Sequence, residues 1–201
     1  FDGYCLPGMY AEEAMDHFVG KHGQRLRLPN LVDDVSYQHA ISKRKDTYEL
    51  RLKYGIPAKK RVFFCPARLL KLKGLDLFLK SAGKVKGISK ACFLLAGEGP
   101  MKKELQDIAD KENLDVHFMG YCNQDTVIEF YALSDFFFLP SLQDCNPLSA
   151  IEAAFAGLPL CVSIYTGNSP ELIQPYKNGV VFDILDTEEV QACIYFLLNA
   201  S

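Results

Sequence analysis

Two carboxylates eight positions apart, Asp144 and Glu152, lie in the stretch DFFFLPSLQDCNPLSAIEAAFAGLPLCVS, Asp135 to Ser163. The first falls in a polar loop ahead of a helix and the second about two turns into it, so one acid guards a mouth and the other lies inside. A solvated loop residue beside a half-exposed helix residue explains the isolated pair equally well, since paired acids mark sites only statistically. Two cations, Arg68 and Lys73, stand in PARLLKLKGLDLFLKSAGK, in the loop or first turn of another helix. Cations there oppose the helix dipole, so structure alone disfavours them and an anionic ligand would favour them; the competing account is an ordinary surface Arg and Lys.

Other loops add weaker signals. Gly97, Glu98 and Gly99 open GEGPMKKEL, but Lys102 stands where a dinucleotide fingerprint needs its third Gly, so tight turn formation explains the glycines nearly as well. Met119, Gly120 and Tyr121 follow an apolar run, and Tyr121 could be a stacking partner or an ordinary loop aromatic. His117, in the same run, reads as a satisfied core histidine rather than a base. In TGNSPELI, Gly167 permits close approach of a ligand and Glu171 can act as a cap or acceptor. Asn146 and Pro147 suit the N-cap and first position of the helix that carries Glu152, which is expected to run to about Ala156 and stop at Gly157.

The elements that must position these residues recur regularly from Arg61 onward. Apolar runs at Val62–Cys65, Ala91–Ala96, Val116–Met119, Phe136–Leu139, Leu160–Val162 and Val180–Phe182 alternate with segments of helical pattern, the last at Glu188 to about Leu198. Parallel neighbours need covering crossovers, so the pattern predicts an α/β, doubly wound, Rossmann-like sheet of about six parallel strands with helices on both faces. Ligands of such sheets bind beyond the carboxyl ends of the strands, where every residue named above falls. Ahead of this array come a helix-like run from Met9 to about Val19, a short strand Leu26–Leu28, and a charged stretch Tyr37–Tyr54, whose basic residues read as a solvated face.

The acid pair framed by PSL and EAAFAGLP resembles the Glu-x7-Glu motif of the retaining glycosyltransferases of family 4, in the C-terminal half of a GT-B fold. ARLLKLKG is similar to that family's GRLxxxKG, GEGP to its GxGP, VHFMG to its VxFxG, and TGNSPELI and NGVVF to its GGxPExI and NGxxF. This chain departs by Asp144 for Glu, by Cys145, Asn146 and Pro147 for Gly, an aromatic and Gly, and by Pro66 and Ala67 where a Gly is usual. The resemblance implies that Arg68 and Lys73 hold the diphosphate of a nucleotide-sugar donor, that Glu152 accepts from the ribose and that Asp144 orients the sugar. It further implies that Gly97 to Gly99 border the donor, that the backbone of Met119 and Gly120 meets the base under Tyr121, and that Gly167 lies close by. Pro147 has no N–H, so contacts at that helix start fall to the amides of Asn146 and Leu148.

The same resemblance divides the chain into a remnant of the N-terminal half and linker, 1–28, and a donor-binding domain, 29–201, with both ends cut. The donor is the expected partner, with an acceptor sugar, lipid or protein held by the missing half; no cofactor and no metal are expected, the cations doing a magnesium ion's work. A GT-B nucleotide-sugar epimerase and a catalytically silent nucleotide-binding module are the rivals. Composition agrees: 201 residues suit one large domain, 49% are apolar, and a net charge of −3 gives no footprint for nucleic acid. Seven cysteines without a CxxC point to a reducing compartment, and no run spans a bilayer, although Phe1 at the start leaves a lost targeting segment open. The expected location is cytoplasmic, with peripheral membrane contact of the full-length protein as a minor reading.

Overall fold

The structure is a computed structural model that describes residues 3–44 and 47–200; Phe1, Asp2, Ser201 and positions 45 and 46 of the charged stretch lie outside the described residues. Its first unit is β1 (Gly3–Leu6), α1 (Met9–Val19) and β2 (Gln24–Arg27), the two strands forming a separate parallel pair. The helix falls where the sequence pattern puts it. The first strand went unread because only Leu6 of its four residues is buried, so no apolar run marks it.

The charged stretch divides into α2 (Asp34–Lys43) and α3 (Thr47–Lys53). The main array follows as β3 (Arg61–Pro66), α4 (Leu75–Ala82), β4 (Ala91–Ala96), α5 (Lys102–Lys111), β5 (Val116–Gly120), α6 (Gln124–Leu133) and β6 (Phe136–Leu139). It ends with α7 (Leu148–Phe155), β7 (Leu160–Ser163), the single turn α8 (Ser169–Leu172), β8 (Gly179–Phe182) and α9 (Thr187–Asn199). Six strands pair in parallel, as the six apolar runs predict, and their order is β5-β4-β3-β6-β7-β8. Every residue of β4, β6 and β7 is buried, which is why these strands read as continuous rather than alternating apolar runs. Aromatic rings fill the layer between sheet and helices, with Phe78 of α4 stacked on Phe138 of β6 at 4.7 Å.

From β3 the chain winds outward through β4 to β5, then returns to the other side of β3 and winds outward again through β6, β7 and β8. The loops after β3 and β6 therefore diverge and leave a crevice between them at the carboxyl edge of the sheet, where doubly wound folds take ligands.

One member of the charged stretch is not solvated. Arg51 is 7% exposed. Its guanidinium donates to the carbonyls of Leu133, Ala58 and Lys60 and, at 2.9 Å, to Asp135, which also accepts from the Val62 amide at 2.7 Å. The side chain thus pins α3 and the end of α6 to the first turns of β3 and β6. Sequence periodicity cannot find such a residue, because its partners are backbone carbonyls remote in the chain. Replacing Arg51 by Met keeps the stem's packing but orphans three carbonyls and leaves Asp135 with the Val62 amide as its remaining hydrogen-bond donor. Chemical denaturation should show a loss of about 3 kcal/mol or more, the scale of a broken buried ion pair; a loss below about 1 kcal/mol would mean that water replaces the guanidinium without penalty.

Candidate functional site

The switch-point loops are held in place by backbone pairing that carries on past the strand ends. After β3, the Ala67 amide donates to Ala96 O at 3.0 Å and Leu69 to Glu98 O at 3.0 Å, while Met101 donates back to Leu69 O at 3.1 Å. This brings the loop with Arg68 against the GEGP loop so closely that a Cβ on Gly97, whose φ is +147°, would lie 2.1 Å from the Ala67 carbonyl oxygen. The Gly97 amide also donates to Gly120 O at 2.7 Å, so Gly97, Glu98, Gly99 and Gly120 come together. On the other side, Asp144 donates to Tyr165 O at 3.2 Å and accepts from the Gly167 amide at 2.7 Å. A Cβ on Gly167 would lie 2.0 Å from the Cys145 carbonyl oxygen. Gly167 is therefore required by the protein's own backbone, a sufficient reason for a glycine that the sequence linked to close approach of a ligand.

Across the crevice, Lys73 Nζ meets Asp144 Oδ2 at 2.5 Å, with side chains 22% and 16% exposed. Lys73 belongs to a 3-10 turn, Lys71–Lys73, and the Leu142 amide donates to Leu72 O at 2.8 Å, which docks this turn on the loop after β6. The finding corrects the argument that structure alone disfavours a cation there: the protein supplies its own anion. It also joins two residues that sequence spacing had treated separately. Arg68 is exposed and makes no side-chain hydrogen bond or ion pair among the described residues. It is left available to an anion arriving from solvent.

Glu152 is half-buried and held from below. Tyr131 of α6, fully buried, donates its hydroxyl to Glu152 Oε2 at 3.0 Å and lies 3.1 Å from Ser149 O. Burial, and then the charge of Glu152, push the Tyr131 phenol well above its ordinary value, so it stays a donor. Tyr37, edge-on to Tyr131 at 5.7 Å, is raised by the same two causes in the same order. Glu152 thus ties α7 to α6 while its carboxylate is kept as an acceptor. Tyr131 was not singled out from sequence; the available signal was a tyrosine on the apolar stripe of VIEFYALSD, which needs a partner when buried.

The start of α7 differs from expectation. Pro147 occupies the N-cap position with φ −66° and ψ 121°, and Asn146 does not cap, because its Oδ1 accepts from Asn168 Nδ2 at 2.9 Å. Asn168 also donates to Pro147 O at 3.0 Å. No side chain caps α7, and while the Ala150 amide donates to Pro147 O at 3.3 Å, those of Leu148 and Ser149 are left for another acceptor. The helix end matches, with Gly157 at φ +70°. Tyr121 is 85% exposed beside Gly120, and Met119 is half-buried against the core. Glu171 is an acceptor, from the Met9 amide at 3.0 Å and from Arg27 at 3.1 Å, and ties the first unit to α8. Between the first unit and the loops after β6 and β7 lies a cavity of about 530 Å³ bordered by Tyr10, Ala14, Asp144, Asn146, Tyr165 and Gly167.

Among the described residues, one group has its donor atoms close enough to hold a metal: Cys92, Asp115 and His117, within 4.8 Å of one another. They lie at the amino ends of β4 and β5, at the opposite edge from the crevice. Asp115 already pairs with Lys60 at 2.9 Å and with His117 at 3.0 Å, and burial pushes the Cys92 thiol up to about 12. The carboxylate is satisfied without an ion, and His117 is the partnered histidine that its strand setting implies.

Residues 46–201 match the family described as glycosyl transferases group 1. Among the relatives, the N-acetyl-alpha-D-glucosaminyl L-malate synthase of Bacillus anthracis is 26% identical over 161 residues, 80% of this chain and 41% of that protein. A GDP-mannose-dependent monoacylated alpha-(1-6)-phosphatidylinositol monomannoside mannosyltransferase of Corynebacterium glutamicum is 26% identical over 188 residues, 90% of this chain and 48% of its own length. In fold, Anabaena HepE in complex with UDP and glucose is similar with a TM-score of 0.77 at 18% identity, over 98% of this chain and 54% of that one. The chain spans about half the length of the proteins it matches. Its matched residues include all six strands of the main sheet and both switch-point loops, and the chain belongs to the group 1 glycosyl transferases, with the fold of one half of a GT-B enzyme.

Proposed function

We propose that this chain is the donor-binding half of a retaining glycosyltransferase, and that the crevice between the loops after β3 and β6 holds the diphosphate of a nucleotide sugar. The observation that carries the reading is the convergence there of Lys73, the unpaired Arg68 and the uncapped start of α7. Two cations and a set of oriented amides stabilise the negative charge that grows on the departing diphosphate as the glycosyl bond breaks. Lys73 reaches the diphosphate by leaving Asp144, which frees that carboxylate for the sugar hydroxyls. Glu152, fixed by Tyr131, accepts from the ribose. The Gly97 to Gly99 loop and the Met119 and Gly120 backbone border the nucleoside, with Tyr121 positioned to cover it. A GDP-mannose-dependent relative and a fold neighbour with UDP and glucose support a nucleoside diphosphate donor, UDP- or GDP-linked. The cations serve in place of a magnesium ion, and the acceptor, a sugar, lipid or protein, belongs to the other half of the cleft. The described residues contain no helix long and apolar enough to cross a membrane.

Titration calorimetry with UDP and GDP tests the diphosphate site. Arg68→Ala should weaken the nucleotide that binds by about 1.5 to 3 kcal/mol, the value of a charge-assisted contact. Lys73→Ala should cost more, because it also leaves Asp144 facing the phosphates. Asp144→Asn should tighten the diphosphate by about 1 kcal/mol, since Lys73 no longer has to leave a partner, and should blur discrimination between sugars. Unchanged isotherms in all three variants would remove the diphosphate role.

Glu152→Gln separates ribose from phosphate. Tyr131 can donate to the amide oxygen as it does to the carboxylate, so the fold is kept. Affinity for the nucleotide should fall while that for inorganic diphosphate holds; an equal fall in both would make Glu152 a helix tie alone.

Nucleotide at a hundred times its dissociation constant should raise stability by about 2.7 kcal/mol, enough for a clear melting shift. Sugar transfer by residues 1–201 should be absent, because an unheld acceptor gains none of the positioning advantage, roughly 7 to 11 kcal/mol. Transfer by these residues would overturn the half-site reading, and absence of any melting shift would favour a silent module.

A further inference from the structure

A second cavity lies at the opposite edge of the sheet, against the amino ends of β3, β6 and β8 and the last turns of α2 and α9. Its volume is about 540 Å³, within the range of small-molecule sites. Among the described residues four cations line it, Arg44, Arg51, Arg61 and Lys177, against one carboxylate, Asp135. That excess sits in a chain whose net charge is −3, so it is a local concentration of positive charge and not an overall bias.

The single carboxylate is already committed. Asp135 accepts from Arg51 at 2.9 Å and from the Val62 amide, and lies 3.7 Å from Arg61. Arg61 also donates to Ala200 O at 2.6 Å, and Lys177 is exposed with no ion pair among the described residues. Arg44 is the decisive group. It stands at the C-cap of α2, where a cation suits the helix dipole; its backbone N–H donates to Ala40 O and Ile41 O, yet its guanidinium donates to no carbonyl of that helix end among the described residues. Its Nε and Nη2 are shut off from solvent and have no hydrogen-bond partner among the described residues. Burial depresses the guanidinium's pKa, Asp135 opposing this only in part. A guanidinium so placed has lost water without gaining a partner, which is costly, and a turn of the side chain toward the cavity it lines would offer both nitrogens to an anion.

The remaining wall is aromatic. Phe136 forms the floor, and Tyr176 and Phe196 meet edge to face at 5.7 Å on the rim, both exposed. Tyr176, which lines the cavity, has φ +61°, a backbone conformation that a bulky side chain adopts at a cost. We propose that this cavity is a second binding site, separate from the donor crevice, for a small phosphomonoester with a flat apolar body. Arg44, Arg61 and Lys177 would take the phosphate, which carries up to two negative charges and presents oxygens to a guanidinium fork, while Tyr176 and Phe196 would cover the body.

The test uses phenyl phosphate and inorganic phosphate as probes, titrated into the protein carrying Arg68→Ala and Lys73→Ala so that the donor crevice is disabled. One binding event for phenyl phosphate should persist in that background, tighter than inorganic phosphate by tenfold or more. Lys177→Gln, an exposed change that cannot disturb folding, should weaken it several-fold, Arg44→Gln by tenfold or more, and Tyr176→Ala should erase the advantage of phenyl phosphate over phosphate. Loss of all binding in the Arg68 and Lys73 background, or isotherms indifferent to both Lys177→Gln and Arg44→Gln, would overturn the proposal. Failure of the donor reading would leave this outcome untouched, because the readout comes from the opposite edge of the sheet.

Discussion

Backbone contact between loops beyond the strand ends is the constraint on which the candidate site depends. Parallel sheets usually end where the crossover chains diverge, but here Ala67 to Leu69 stays paired with Ala96 to Glu98, and Asp144 stays paired with Tyr165 and Gly167. The approach leaves no room for a Cβ at Gly97 or Gly167. This backbone pairing, helped after β6 by the bonds of Asn168 to Asn146 and Pro147, holds the loops with Arg68 and Asp144 at defined positions, so little conformational entropy is lost when a ligand arrives.

Within that frame the electrostatics are those of a site at rest. Lys73 and Asp144 neutralise each other across the crevice, which removes the repulsion that two converging cations and an uncapped helix start would otherwise create. A diphosphate carries more negative charge than a carboxylate and competes for the same ammonium, so ligand binding becomes an exchange of partners for Lys73. Exchange of this kind couples phosphate binding to release of the acid that faces the sugar. Glu152 takes no part in that exchange, because its partner is the buried phenol of Tyr131.

The opposite edge of the sheet follows a different logic. Arg51 spends its whole donor set on carbonyls and on Asp135, and so behaves as a fastener, while Arg44, a short distance away along the chain, is half-buried with two guanidinium nitrogens that lack such partners among the described residues. Identical side-chain chemistry serves the fold in one case and leaves an open valence in the other. The distinction lies wholly in which backbone carbonyls happen to face the guanidinium.

Strand runs and the doubly wound class were legible in the residues, because burial on both faces makes a parallel strand continuously apolar and crossovers set the spacing, whereas the order of the strands came only from the structure. The acid pair, the Arg68 to Lys73 spacing and the glycines were legible as types and positions. First-unit strand β1 escaped because it is mostly exposed, and Asn146 was misread as a cap because its bond to Asn168 spans twenty-two positions. The sequence by itself determined the sheet, the helices and the family to which they belong, since those follow from local periodicity and short-range spacing. Only the tertiary structure decided that Lys73 faces Asp144, that Tyr131 holds Glu152, and that Arg51 is satisfied where Arg44 is not. Each of these is a contact between segments far apart in the chain, and side-chain hydrogen bonds of that range leave no periodic trace in the order of residues.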